Sequence, residues 1–342
     1  MYDVTLPDSG LLHFIDNFNF QSSSEETMAR KSKTDAAAIR AGQKHAESIL
    51  KLRAKKLKKR AAVLKALPPV KTVQAAKYSA RLELVMAAAA QSAGTLVAEG
   101  DSWFNYPGHD ILKLLYEDYG YDVESVAHRG DPIEAMAYGE SQLDDFASRI
   151  EKVVGRGETI KAILLSGGGD DIAGDEFGML INFAGSPISG WNEQVVAGVI
   201  DQRIRTAFVT ILSRITTVCQ SMTGGLVPIL LHGYAHPVPD GRGFLGGWGP
   251  LPGPWLQPGF HEKGFGRLED CTKMMVQLID RFNRMVKDVA SLSDFKHVRY
   301  IDLRPELTNG PNYENDWANE LHPNEKGFKK VTKRFADELA KL

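Results

Sequence analysis

From residue 95 onward the chain alternates short apolar runs with longer amphipathic segments, and this alternation restricts the fold more than any other feature. The runs are TLVA at 95–98, VESVA at 123–127, IKAILL at 160–165, LVPILL at 226–231 and VRYI at 298–301. Helical patterns are predicted between and after them at 109–118, 133–154, 195–222, 267–292 and 325–342. Strands separated by helices run parallel, joined by right-handed crossovers, with helices covering both faces of the sheet. In such sheets reacting groups gather beyond the carboxyl ends of the strands. Ser102 follows the first run, Gly130 the second, Gly168 to Asp171 the third and His232 to His236 the fourth, so these residues are expected along one edge.

The first 92 residues read differently and are expected to form an appendage to a main domain over 93–342. Residues 1–33 carry mixed turn signals, including QSSSEE, and are expected to be partly irregular. Residues 34–67 are rich in Ala, Lys, Arg and Leu and stop at Pro68-Pro69, which predicts a helix. Leu50, Ala54, Leu57, Ala61 and Leu64 would form its narrow apolar seam. A second helix is predicted over 73–92. With 342 residues, 43% of them hydrophobic, the chain can bury a large core beside this arm.

Charge is unevenly spread. The formal net charge is −2, yet residues 30–60 hold twelve Lys or Arg against Asp35 and Glu47, so a basic arm precedes an acidic body. No aromatic interleaves the basic stretch, and nucleic acid is not an expected partner. The arm is expected to lie on its own domain or to join two copies of the chain, with an anionic membrane surface as a weaker alternative. Cys219 and Cys271 lack metal-ligand spacing and read as reduced core thiols. Without a basic-then-apolar leader or a run near eighteen apolar residues, the expected location is cytoplasmic.

Residues 233–266 contain ten glycines and six prolines, together with Phe244, Trp248, Trp255 and Phe260. A connection this long and this aromatic is expected to fold over the site and shape a substrate pocket.

A serine becomes a nucleophile only with a base, a group that orients the base, and donors for the developing oxyanion. Gly100-Asp101-Ser102-Trp103 places a serine after the first strand. The run LHPNEKGF places His322 before the last helix. Together with Gly130 in AHRGDPIEAM and Gly168-Gly169-Asp170-Asp171, these four blocks resemble those of the SGNH, or GDSL-type, serine hydrolase superfamily. The resemblance covers about residues 94–342. It implies a three-layer α/β/α, flavodoxin-like fold with about five parallel strands, and acyl transfer from an ester of a lipid or carbohydrate through an acyl-enzyme on Ser102. His322 would be the base, and the oxyanion would rest on the N–H groups of Ser102 and Gly130 and on the residue at 170. Trp103 and Trp317, flanking the two catalytic positions, are expected to line the pocket with Trp248 and Trp255.

Two positions depart from the family's pattern. Asp170 stands where the family has a donating asparagine; a carboxylate donates only when protonated, and burial beside Asp171 is the expected means. Asn319 stands where the family has the aspartate that orients the histidine. Either Asn319, a backbone carbonyl or Asp316 is expected to take that role, while Glu320, though near the histidine, is expected to point elsewhere. These departures leave open a catalytically weak, SGNH-like binding module, or a membrane-surface or assembly protein acting through the basic arm. The carboxylates of DDIAGDE read as a helix N-terminus rather than a metal site, and GGG before Asp170 lacks the Lys-Ser/Thr of a phosphate loop. Neither metal nor cofactor is expected.

Overall fold

A computed structural model of the chain describes residues 10–66, 92–246 and 251–342. Five parallel strands form one sheet: β1 Thr95–Glu99, β2 Asp122–Ser125, β3 Ile160–Leu165, β4 Ile229–His232 and β5 Val298–Ile301. Their spatial order is β2-β1-β3-β4-β5. All five begin within three residues of the predicted runs. Every residue of β1 and β4 is buried, as expected for strands covered on both faces.

Helices α2 Ile111–Tyr119 and α7 Glu325–Leu339 pack together on one face of the sheet. The other face carries α3 Ile133–Tyr138, α4 Glu140–Gly155, α5 Arg205–Thr223 and α6 Leu268–Ala290. Asp110 caps α2 by accepting from Lys113 N at 2.8 Å, and Asn324 caps α7 by accepting from Gly327 N at 3.0 Å. The chain leaves β1 to one side for β2 and returns to the other for β3. That reversal opens a crevice at the carboxyl end of β1, where Ser102 lies.

The single helix expected over 133–154 is two helices, broken at Gly139, which adopts an extended conformation. The carbonyls freed by the break are met by the buried guanidinium of Arg214 on α5, which donates to the oxygens of Met136, Ala137 and Gly139.

Among the described residues the N-terminal arm is one helix, α1 Gly10–Ala66, so the expectation of a partly irregular segment is corrected over residues 10–33. It lies on α5 and α4. Against the described residues its buried side chains are Asp35, Ala38, Ala46 and Ile49, not Leu50, Ala54, Leu57 and Ala61 of the expected seam, where Leu57 is 47% exposed. Small residues win because they let two helix axes approach: a Cβ on Gly42 would lie 2.6 Å from the Thr210 carbonyl oxygen. Asp35 accepts from Arg205 at 3.1 and 2.8 Å in a buried pair, and Arg53 donates to Glu151 and Asp144 further along. The helix predicted over 73–92 falls on residues 67–91, outside the described ones. No described helix is long and apolar enough to cross a membrane.

Candidate active site

The turn after β1 is built around Asp101, which is buried. One of its oxygens accepts from Trp103 N at 3.0 Å and from Ser166 Oγ at 2.6 Å; the other accepts from the Tyr234 hydroxyl. Asp101 thereby ties the ends of β1, β3 and β4 together and holds Ser102 at their edge. Gly100 has no room for a side chain, since its Cβ would meet Ser166 Cβ at 2.8 Å and the Phe104 ring at 2.9 Å.

His322 sits in the loop between β5 and α7, and its Nε2 is 2.7 Å from Ser102 Oγ. Its Nδ1 is 3.1 Å from Asn319 Oδ1. That amide oxygen also accepts from the backbone N–H of Leu321 at 3.0 Å and of His322 at 2.9 Å, while Asn319 Nδ2 donates to the Tyr106 hydroxyl at 2.9 Å. Two backbone donors fix the oxygen toward the ring, so Nδ1 carries the proton and Nε2 is left as the acceptor for the serine hydroxyl. Tyr106 stacks on the imidazole with ring centroids 4.3 Å apart, and Trp255 meets it edge-on at 5.7 Å. Burial without a carboxylate partner pushes His322 down to about 3, so the ring is neutral at ordinary pH.

Asp316 is not brought to His322. Its carboxylate accepts from Lys330 Nζ at 2.7 Å and from Thr308 N at 3.2 Å, which fixes the loop ahead of the histidine.

Gly130 has φ of +82°, a conformation that favours glycine, and lines the same cleft as Ser102 and His322. Among the described residues neither the Ser102 N–H nor the Gly130 N–H donates to a protein group. Asp170 lines the cleft beside them and leaves its Oδ2 buried and unpartnered. Burial, followed by the nearby charges of Asp101, Asp171 and Asp131, raises Asp170 to about 8. Asp171 instead accepts from Ile133 N at 2.7 Å, binding the third-block loop to the start of α3; burial raises it to about 6.

Two cavities meet at Ser102. The smaller, about 40 Å³, is walled by Trp103, Tyr234, Leu256, Met275, Ile279 and Trp317 among others. The larger, about 270 Å³, opens beside His322 and is walled by Tyr106, Arg129, Phe244, Pro252 and Trp255. Trp103 and Trp317 thus line one and Trp255 the other, while Trp248 lies outside the described residues. His232 and His236 do not form a pair of ligands: His232 is buried among aromatic rings, and His236 bonds Asp280 at 3.0 Å. Cys219 and Cys271 are both buried and unbonded.

Two residues of the site are not singled out by the sequence, Tyr106 and Tyr234, and Glu320 is singled out only as a neighbour of the histidine that points elsewhere. Tyr106, four residues past Ser102, carried a weak signal as an aromatic near a strand end. Tyr234 had none that the sequence pattern alone displays.

No protein-family model and no curated protein matches the chain. Among solved structures it is similar to a catalytic mutant of the acetylxylan esterase of Geobacillus stearothermophilus, at 15% identity over 72% of this chain and 94% of that one, with a TM-score of 0.34. It is also similar to a protein of Slackia heliotrinireducens described as an SGNH hydrolase, at 10% identity over 72% and 98%, TM-score 0.38. A third is a psychrotrophic esterase of a Pseudoalteromonas species, at 14% identity over 72% and 97%, TM-score 0.36.

Proposed function

We propose that the chain is a serine ester hydrolase of the SGNH type, acting on esters of a short acyl group through an acyl-enzyme on Ser102. The observation that carries this reading is the aligned series Ser102 Oγ, His322 Nε2, His322 Nδ1, Asn319 Oδ1, with contacts of 2.7 and 3.1 Å. A serine hydroxyl hydrogen-bonded to an oriented imidazole, beside two backbone donors with no acceptor among the described residues, has the parts acyl transfer needs.

His322 accepts the hydroxyl proton as Ser102 attacks the ester carbonyl. The oxyanion is held by the N–H groups of Ser102 and Gly130 and by protonated Asp170. The imidazolium then returns its proton to the leaving alcohol, and water, deprotonated by the same ring, cleaves the acyl-enzyme. Because His322 must reach the leaving oxygen, the alcohol belongs in the larger cavity beside it and the acyl group in the smaller one. About 40 Å³ is a few times the ~10–15 Å³ that one water needs, which suits a two-carbon acyl group and not a long chain.

Hydrolysis of a p-nitrophenyl ester series tests this. The expected result is turnover that disappears in Ser102→Ala and falls steeply from acetate to butyrate. Equal turnover by the alanine variant sinks the serine esterase; a preference for long chains sinks the acyl assignment alone.

A further inference from the structure

Glu320 lies between Asn319 and His322 in the chain and is fully buried. Its Oε2 accepts from the backbone N–H groups of Trp255 at 2.6 Å and Leu256 at 2.8 Å. Its Oε1 accepts from those of Gly241 and Gln257, each at 3.0 Å. In the opposite direction Glu320 N donates to Arg242 O at 3.1 Å, and Arg242 Nη1 donates to Trp317 O at 3.1 Å. Two separate stretches of the 233–266 insertion therefore close on a single carboxylate of the catalytic loop.

Two of the residues pinned this way wall the cleft. Trp255 bounds the larger cavity and Leu256 the smaller, and Leu321, next to Glu320 in the chain, borders both. Hydrogen bonds from N–H groups to a buried carboxylate are charge-assisted and stronger than neutral ones, and removing the acceptor would leave four backbone donors without a partner.

We infer that Glu320 is a positioning residue that determines specificity: its carboxylate fixes the described stretches of the insertion around Gly241 and Trp255–Gln257 as a permanent wall of the cleft and sets the room on both sides of Ser102. The insertion then does not open as a lid, so hydrolysis of a sparingly soluble ester should saturate smoothly, without a jump in rate when the ester aggregates. The consequence for substrate choice rests on the esterase reading above; the fixing of the insertion does not.

Two measurements test it. In the wild-type protein, hydrogen exchange should show the amides of Gly241, Trp255, Leu256 and Gln257 protected together, by roughly 100-fold or more over exposed loop amides. Exchange as fast as that of exposed loops overturns the inference, and this reading needs neither a variant nor activity. In Glu320→Gln the ratio of kcat/KM for acetate over butyrate should fall about tenfold, with the acid limb of the pH profile unchanged because Ser102 and His322 keep their contact. An unchanged ratio, or an equal loss of kcat on every ester, contradicts a role in specificity. If the wild type hydrolyses no ester, the proposed function fails while hydrogen exchange still decides whether Glu320 fixes the insertion; if Glu320→Gln does not fold, exchange in the wild type again decides.

Discussion

The amide oxygen of Asn319 faces Nδ1 of His322 at 3.1 Å and is held there by two backbone N–H groups of the same loop. An amide free to turn could present its NH2 group and select the tautomer with the proton on Nε2, which cannot take a proton from serine. Here the loop makes that choice. What an amide cannot supply is charge to stabilise the imidazolium.

Asn319→Asp should supply it. The carboxylate would keep the three N–H donors, and the Tyr106 hydroxyl, which accepts from Asn319 in the wild type, would donate to it instead. A negative charge on Nδ1 favours protonated His322 and raises its pKa, so the acid limb of kcat/KM should move up by at least about one pH unit while kcat at neutral pH rises on the order of tenfold. The measurement is a pH–rate profile of the two proteins. An unchanged acid limb would mean that the Asn319 contact does not govern the histidine.

Asp170 should produce the opposite limb. Raised to about 8, it is protonated and able to donate at neutral pH, and it loses that ability as pH rises through about 8. The wild-type rate should therefore fall on the alkaline side. Asp170→Asn, which donates at any pH, should stay active at pH 9–10; a missing oxyanion donor typically costs about 100- to 1,000-fold. The stability sign follows from the same shift. The folded state keeps a proton that the unfolded chain releases near pH 3.9, so this group's contribution to stability falls as pH rises from about 4 to about 8. Asp170→Asn should accordingly have a higher Tm than the wild type at pH 8. Identical alkaline limbs would show that the two backbone N–H groups suffice.

The arm makes a prediction about stability alone. Asp35 and Arg205 are 6% and 4% exposed, and removing one partner leaves the other buried without its counter-ion. Asp35→Asn should destabilise the protein by about 3–5 kcal/mol in urea denaturation. A loss below about 1 kcal/mol would mean that α1 leaves the body without unfolding it.

The sheet was legible because buried parallel strands leave unbroken apolar runs, and all five were found near their observed positions. Ser102 and His322 were legible because each follows a strand in a block of recognisable composition. Asn319 could not be chosen over Asp316, since the choice depends on which way a side chain turns between backbone donors of Leu321 and His322 and an acceptor, the hydroxyl of a tyrosine 213 residues away. What Glu320 holds was not legible for a related reason: its four partners are backbone N–H groups, which every residue but proline has. The face by which α1 packs on the described residues, at Ala38, Gly42 and Ala46, was not legible because alanines and a glycine rank low on hydrophobicity, whereas close helix packing selects for small size.

The account rests on His322 activating Ser102, and covalent labelling with a fluorophosphonate followed by intact-protein mass spectrometry tests that most directly. The expected result is one adduct, mapped to Ser102, absent from Ser102→Ala and formed about 100-fold or more slowly in His322→Ala. An adduct at another residue, or labelling of Ser102 that proceeds at the same rate without His322, would contradict it.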